Sequence, residues 1–272
     1  MAWERRCGAA PVTPCPRIYS PLRRARCFMK PSLTVVTASL NAAACLPALL
    51  HSLRSQADRD FDFIVMDGGS RDGTLALLEA SPDLVTHVSS QPDHGFYDAL
   101  NHALRLIQTD YYLVLGADDV LYPDAIANFK MCAADQRADM VVAQVKAGRR
   151  LLKGYRPHNA WLGPGHMFTS HSVGTLLRTS LHQRLGNYSY RYAIYADSLF
   201  MKNVAQTPGL VVCAGDFIAG EFNPNGGFSR TNFVRSLCEL WMMQRETGEN
   251  ALLQYGLFQA RLLWNLPRVL RA

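Results

Sequence analysis

From Leu33 onward the chain alternates short apolar runs with segments of helical period. Leu33-Thr34-Val35-Val36-Thr37-Ala38 is continuous and β-branched, the pattern of a strand buried on both faces. Leu46, Leu49, Leu50 and Leu53, within 42–56, recur at the spacing of one helix face. The alternation repeats: strand 61–66 and helix 74–79, a weaker strand at 84–88 and helix 96–108. It continues through strand 111–115, a helix entered at Pro123 and reaching Ala134, and strand 140–145.

Repeated β-helix-β units predict an α/β domain with a mainly parallel sheet and helices on both sides. Such sheets bind ligands beyond the carboxyl ends of their strands. Two acidic turns fall there, Asp67-Gly68-Gly69-Ser70 and Gly116-Ala117-Asp118-Asp119. Past Val145 the pattern loosens into a loop or hairpin over 149–166, strand 173–177, helix 198–204 and strand 210–213. A stretch rich in Gly and Asn runs to Ser229, and helices follow at 231–245 and 251–266. The expected layout is an extension over 1–30, the α/β domain over 31–230 and C-terminal amphipathic helices over 231–272. No apolar run reaches membrane-spanning length, and no repeat is visible.

At 272 residues the chain can bury one large core. Its net charge of +6 would suggest a polyanionic partner, but seven basic residues against Glu4 within 1–30 account for all of it. The rest is neutral, and a nucleic-acid partner is not indicated. The extension, with four prolines and three of the seven cysteines, has the makeup of a disordered arm. It reads either as a functional basic arm or as sequence upstream of a natural start at Met29. Cys45, Cys132, Cys213 and Cys238 are scattered, without zinc spacing. They read as structural thiols in a reducing cytoplasm.

Asp118 and Asp119, adjacent at a strand end, repel each other unless a cation, a helix N-terminus or water offsets them. Hard oxygen ligands there suit Mg²⁺ or Mn²⁺; helix capping ahead of Pro123 is the plainer alternative. In 67–74 the glycines let backbone approach a ligand, Asp67 can accept from a base edge, and Arg71 can meet phosphate. A tight turn followed by an Asp72 cap explains much of the same string. Gln91-Pro92-Asp93-His94-Gly95-Phe96-Tyr97-Asp98-Ala99-Leu100-Asn101 adds a loop and a polar helix start.

In their order and spacing, Thr37 to Asn41, the Asp67 turn, Pro92 to Asn101 and the Gly116 turn resemble family 2 glycosyltransferases. The likeness covers 33–229 and is strongest to the bacterial branch that builds cell-envelope polysaccharides and glycolipids, including colanic-acid-type enzymes. It implies a GT-A fold with a nucleotide-binding first half and an acceptor-binding second half. Asp67 then contacts the donor base, with Thr37 and Asn41 at the strand end beside it. Gly68, Gly69, Arg71, Asp93 and Gly95 line the donor site, with Asp93 on its floor. Asp118 and Asp119 match the metal-binding D-x-D variant for Mn²⁺ or Mg²⁺, with Asp119 the direct ligand.

Asp197, in Tyr195-Ala196-Asp197-Ser198-Leu199, matches the catalytic base; relatives often carry a second acid where Leu199 stands. His171, followed by Ser172 where relatives often have glutamine, is a third metal ligand, a phosphate contact or a structural histidine. Gly226-Gly227-Phe228-Ser229 matches a loop that closes over the donor, or is a plain turn.

The implied reaction inverts a sugar carried by a nucleotide diphosphate as it passes to a saccharide or lipid-linked acceptor hydroxyl. It implies an enzyme in the cytoplasm or on the inner face of the membrane. The broad stripe Leu252, Leu253, Tyr255, Leu257, Phe258, Leu262, Leu263, Leu266 and Leu270, with Arg261, Arg268 and Arg271 among it and Trp241 and Trp264 as aromatic anchors, suits a membrane interface or packing on the domain. A sugar nucleotidyltransferase is disfavoured, since Thr37-Ala38-Ser39-Leu40-Asn41 has no Gly-rich basic loop, and a dinucleotide oxidoreductase lacks G-x-G-x-x-G. A non-catalytic nucleotide-sugar-binding protein is the second reading.

Overall fold

A computed structural model describes residues 12–14, 31–168, 171–223 and 232–269. Its first half runs β1 (Val12–Pro14), β2 (Leu33–Ser39), α1 (Leu46–Arg54), β3 (Asp62–Asp67), α2 (Thr74–Glu79), β4 (His87–Ser90) and α3 (Phe96–Ala103). Next come β5 (Tyr111–Gly116), β6 (Val120–Leu121), α4 (Ala125–Gln136), β7 (Met140–Ala147), β8 (Arg150–Leu152) and α5 (Pro164–Met167). The chain continues through β9 (Thr175–Arg178), α6 (Leu181–Leu185), α7 (Ala196–Gln206) and β10 (Val212–Phe222). It ends in α8 (Phe233–Glu246), α9 (Ala251–Trp264) and α10 (Leu266–Val269).

The sheet order is β1-β10-β7-β9-β5-β2-β3-β4, with β6 on β10 and β8 on β7. β4, β3, β2 and β5 run parallel in sequence, while β9 inserts antiparallel between β5 and β7. The expected mainly parallel sheet is therefore present.

Strand alternation explains why helices cover both faces. Leu33, Val35, Phe63, Val65 and Leu113 pack with Leu46, Leu49 and Leu53 of α1 and Ile126 and Phe129 of α4. On the other face Val36, Ile64, Tyr112 and Val114 meet Leu100 of α3 and Phe200 and Val204 of α7. A nine-residue helix such as α1 is marginal alone. Burying each of its leucines contributes roughly 1.5–3 kcal/mol, so packing holds it.

The differences from the expected elements have local causes. α3 ends at Ala103, not near 108, because 104–106 tighten into turns. The strand expected at 84–88 begins instead at His87, where pairing with Ile64 starts. The 149–166 segment is a β7–β8 hairpin followed by a 3₁₀ stretch, Pro157–Leu162, and α5. β10 is eleven residues long where only 210–213 was expected, because Gly215 and Gly220 resemble loop residues. A β-carbon at Gly220 would lie 2.1 Å from the Val120 carbonyl oxygen, so glycine is what lets β6 close against β10. That contact fixes the turn carrying Asp118 and Asp119.

Candidate functional site

Three loops meet at the carboxyl ends of β2, β3 and β4. The β2–α1 and β3–α2 loops are stitched by short bonds: Asn41 N–H to Ser70 Oγ (2.7 Å), Arg71 N–H to Asn41 Oδ1 (2.9 Å) and Ala43 N–H to Asp72 Oδ2 (3.0 Å). Asn41 takes a left-handed φ of 49° to make both of its bonds. The β4–α3 loop joins through Asp93: a β-carbon on Gly68 would sit 3.0 Å from Asp93 Oδ2, while Asp93 Oδ1 accepts from Gly95 N–H at 2.9 Å. Gly69 lies against Pro92 of the same loop. Asn41, Gly68, Gly69, Asp93 and Gly95 are thus brought together, with the exposed Arg71 at the rim.

Asp67 and Thr37 have other surroundings than a base contact needs. Asp67 is 2% exposed, and its carboxylate accepts from Ser39 Oγ (3.1 Å), Gly69 N–H (3.1 Å), Ser70 N–H (2.9 Å), Ser70 Oγ and Ser90 Oγ (2.6 Å). Burial alone would raise its pKa, but the hydroxyl and backbone donors prevail and lower it. A carboxylate has about four lone-pair sites, so this one has none left for a base edge. Thr37 has no exposed surface and, two residues beyond Val35, belongs to the face covered by α1 and α4. Its hydroxyl is buried without a hydrogen-bond partner. It therefore lies beneath the crevice, shielded from solvent.

The turn after β5 is unlike the Asp67 turn. Asp119 is 1% exposed and accepts Gly116 N–H at 2.6 Å. A β-carbon on Gly116 would lie 3.0 Å from Asp118 Oδ1 and 3.2 Å from Asp119 Oδ2, so both carboxylates converge over that glycine. Burial raises the Asp119 pKa to about 7, opposed by the Gly116 bond and assisted by the Asp118 charge. His171 Nδ1 stands 3.9 Å from Asp119 Oδ2, its ring stacked on Phe222 at 4.2 Å. Burial holds this imidazole below the ordinary histidine pKa, against the pull of Asp118. Asp118 also reaches the start of α1, where its charge adds to burial in raising the Cys45 pKa.

Among the described residues no three acidic, histidine or cysteine side chains form a ready metal cluster. The pair with His171 still fits a hard divalent cation. Such ions often take one or two carboxylates and fill the remaining positions with water and substrate phosphate oxygens.

Asp197 lies in the first turn of α7 and opens on a cavity of about 20 Å³, room for roughly one water. Ser172 and Thr175 line the same cavity with Phe96, Leu100 and Met201. Ser172 Oγ is 3.2 Å from His171 Nδ1, so a wall residue of this cavity adjoins the histidine that stands beside Asp119. The Tyr97 hydroxyl lies 2.9 Å from Asp197 Oδ1 and 2.7 Å from the Ile194 carbonyl oxygen, and Ser198 N–H donates to Asp197 Oδ1 at 2.6 Å. Burial raises the Asp197 pKa and these donors oppose it. Gly226-Gly227-Phe228-Ser229 lies outside the described residues.

The profile of Glycosyl transferase family 2 matches residues 34–207, well over half the chain. The chain belongs to glycosyltransferase family 2. It is similar to the PGL/p-HBAD biosynthesis glycosyltransferase of Mycobacterium bovis (strain BCG / Pasteur 1173P2), 30% identical over 208 residues, 74% of this chain and 80% of the relative. Its fold matches S. aureus TarS 1-349 in complex with UDP-GlcNAc (TM-score 0.62, 17% identity, 84% of this chain and 70% of that one). It also matches mannosyltransferase PcManGT from Pyrobaculum calidifontis in complex with GDP-Man and Mn²⁺ (TM-score 0.60, 20% identity, 85% and 69%). The expected GT-A architecture is thereby established.

Two groups of this glycosyltransferase carry no role in the sequence reading. Tyr97 sits inside a quoted motif, and its contact with Asp197 joins residues a hundred positions apart. Glu239 of α8, 5% exposed, holds the backbone just before α7; the signal it leaves in the sequence is an acid between Leu237 and Leu240 of an expected helix.

Proposed function

We propose that the chain is an inverting, metal-dependent glycosyltransferase. It would move a sugar from a nucleotide-diphosphate donor to a saccharide or lipid-linked acceptor in cell-envelope polysaccharide or glycolipid synthesis, the branch that includes colanic-acid-type enzymes. The observation that supports this is a chain of neighbours: Ser172, on the wall of the Asp197 cavity, lies 3.2 Å from His171, whose ring nitrogen stands 3.9 Å from Asp119 Oδ2. Asp118 and Asp119, with His171 as a third group, would hold Mn²⁺ or Mg²⁺. Bound there, the cation supplies positive charge beside the departing diphosphate.

Asp197 would accept the proton of the attacking acceptor hydroxyl, and burial, by raising its pKa, makes it a stronger base than an exposed carboxylate. Tyr97 and Ser198 N–H orient that carboxylate. Asn41, Gly68, Gly69, Arg71, Asp93 and Gly95 form the donor wall, while Asp67 anchors the wall from beneath. The named likenesses support the donor class: one structure holds UDP-GlcNAc, another GDP-Man with Mn²⁺, and a relative is named for PGL/p-HBAD biosynthesis.

A thermal-shift panel of UDP, GDP, CDP and ADP with and without Mn²⁺ tests the reading. One nucleotide should stabilise the protein by about 2.7 kcal/mol at a hundredfold excess over its Kd, and only with Mn²⁺. Equal stabilisation in chelator, or by none of the four, contradicts it.

The acceptor class has a counterpart in α9, and we place the enzyme in the cytoplasm, docked on the inner membrane face. Leu252, Tyr255, Leu263 and Trp264 are exposed, whereas Arg261 turns inward to the Leu162 carbonyl oxygen and Gln254 to that of Trp161. The polarity is inverted for a water-facing helix, and 250–272 contain three arginines and no acid. No described helix is long and apolar enough to cross a membrane. Co-sedimentation with phosphatidylglycerol vesicles should be lost in Leu252→Glu/Trp264→Glu; unchanged binding refutes the contact.

A further inference from the structure

The segment leading into α7 is held by a carboxylate from a distant helix. Glu239 accepts from three successive backbone groups, Ala193 N–H (3.0 Å), Ile194 N–H (2.8 Å) and Tyr195 N–H (3.3 Å). Arg235 Nε–H, one helical turn away, donates to the same carboxylate at 2.8 Å. A buried carboxylate is costly without such donors, and three consecutive N–H groups aimed at one side chain fix the backbone that carries them. Ile194 is gripped from both sides, its N–H by Glu239 and its carbonyl oxygen by the Tyr97 hydroxyl. The same hydroxyl lies 2.9 Å from Asp197 Oδ1 and shares its one proton between the two oxygens, so a path of contacts runs from Glu239 through Ile194 and Tyr97 to that carboxylate.

The C-terminal helices grip α7 a second time, farther along. Lys202 is fully buried, and its Nζ donates to Gln244 Oε1 at 2.9 Å and Glu249 Oε1 at 2.7 Å. Glu246 accepts from the Tyr192 hydroxyl at 2.6 Å, just ahead of the clamped triplet. α7 is therefore set against α8 at both ends, and its first turn carries Asp197.

We infer that Glu239 is a positioning residue for sugar transfer, fixing residues 193–195 and through them the orientation of the Asp197 carboxylate. The inference rests on Asp197 acting as the base. A misplaced base weakens the chemical step more than donor binding, and an ångström of displacement can cost about a hundredfold in rate. The donor wall lies on loops that Glu239 does not touch.

The test uses the full chain with Mn²⁺ and either UDP-GlcNAc or GDP-mannose, following nucleoside diphosphate release with water as acceptor, alongside amide exchange of 192–198. Glu239→Ala should lower kcat about 10- to 100-fold, leave donor KM within about twofold and strip exchange protection from 193–195. Glu239→Gln, which keeps one acceptor oxygen, should recover part of both effects and serves if the alanine variant fails to fold. In the Asp197→Asn background Glu239→Gln should change kcat no further. Wild-type kcat in both Glu239 variants while Asp197→Asn is impaired overturns the positioning role alone. Full turnover in Asp197→Asn overturns the base assignment beneath it. Without detectable release, unchanged protection at 193–195 in both variants overturns the clamp.

Discussion

Asp67 ends β3 and Asp119 lies in the turn just past β5, with β2 between the two strands; both are almost wholly buried, yet their electrostatics are opposite. Asp67 gathers hydroxyl and backbone donors until its pKa falls; Asp119 accepts from the Gly116 N–H, has a second carboxylate beside it and a pKa pushed to about 7. The first turn is complete as protein. The second would gain from a positive charge, and on the proposed reading that asymmetry separates scaffold from site. Both were candidates for ligand contact in the sequence, and only their partners distinguish them.

The largest effect should come from the unfinished turn. Asp119→Asn should lower nucleoside diphosphate release by about 10³-fold or more, since a cation beside a developing diphosphate contributes several kcal/mol. Rates near wild type would remove the distinction between the two turns. Asp197→Asn should cost roughly 10²- to 10³-fold in kcat with donor KM little changed, the range for a lost general base. A matching rise in KM would instead point to donor binding.

Asp67→Asn should act mainly on stability. An amide NH₂ would face the Ser70 and Gly69 donors, costing about 2 kcal/mol, with Mn²⁺ binding retained. Loss of Mn²⁺ affinity without loss of Tm would make Asp67 part of the site.

The pH dependence should differ in sign between the turns. Asp119, with a folded pKa of about 7 above its unfolded value of 3.8, binds more protons when folded. Its contribution is present at low pH and lost as pH rises toward 7. Asp67, with its pKa lowered, contributes above the unfolded carboxylate value, and that contribution is lost as pH falls through its folded pKa. Denaturant titrations between pH 4 and 8 should show a falling slope in the metal-free wild type that Asp119→Asn flattens. An unchanged slope in that variant would mean another group titrates.

Much of this was legible along the chain. The 33–38 run became β2, and the glycine-aspartate turns landed at strand ends, because local pattern alone decides those features. What escaped depends on distant partners. Ser39 and Ser90 saturate Asp67 from two other strands, and Glu239 acts on backbone groups more than forty residues away. Gly215 and Gly220 mimicked a loop because the sequence records their missing side chains and not the neighbouring ring or carbonyl that excludes one. The inward turn of Arg261 likewise needs Leu162 in view.

The most direct measurement is Mn²⁺ titration, followed by electron paramagnetic resonance at pH 8, of wild type, Asp119→Asn and Asp67→Asn in the presence of the selected nucleoside diphosphate. Protein-bound Mn²⁺ should appear in wild type and Asp67→Asn and vanish in Asp119→Asn. Equal binding in all three would contradict the claim that the turn after β5 is the one that holds the cation.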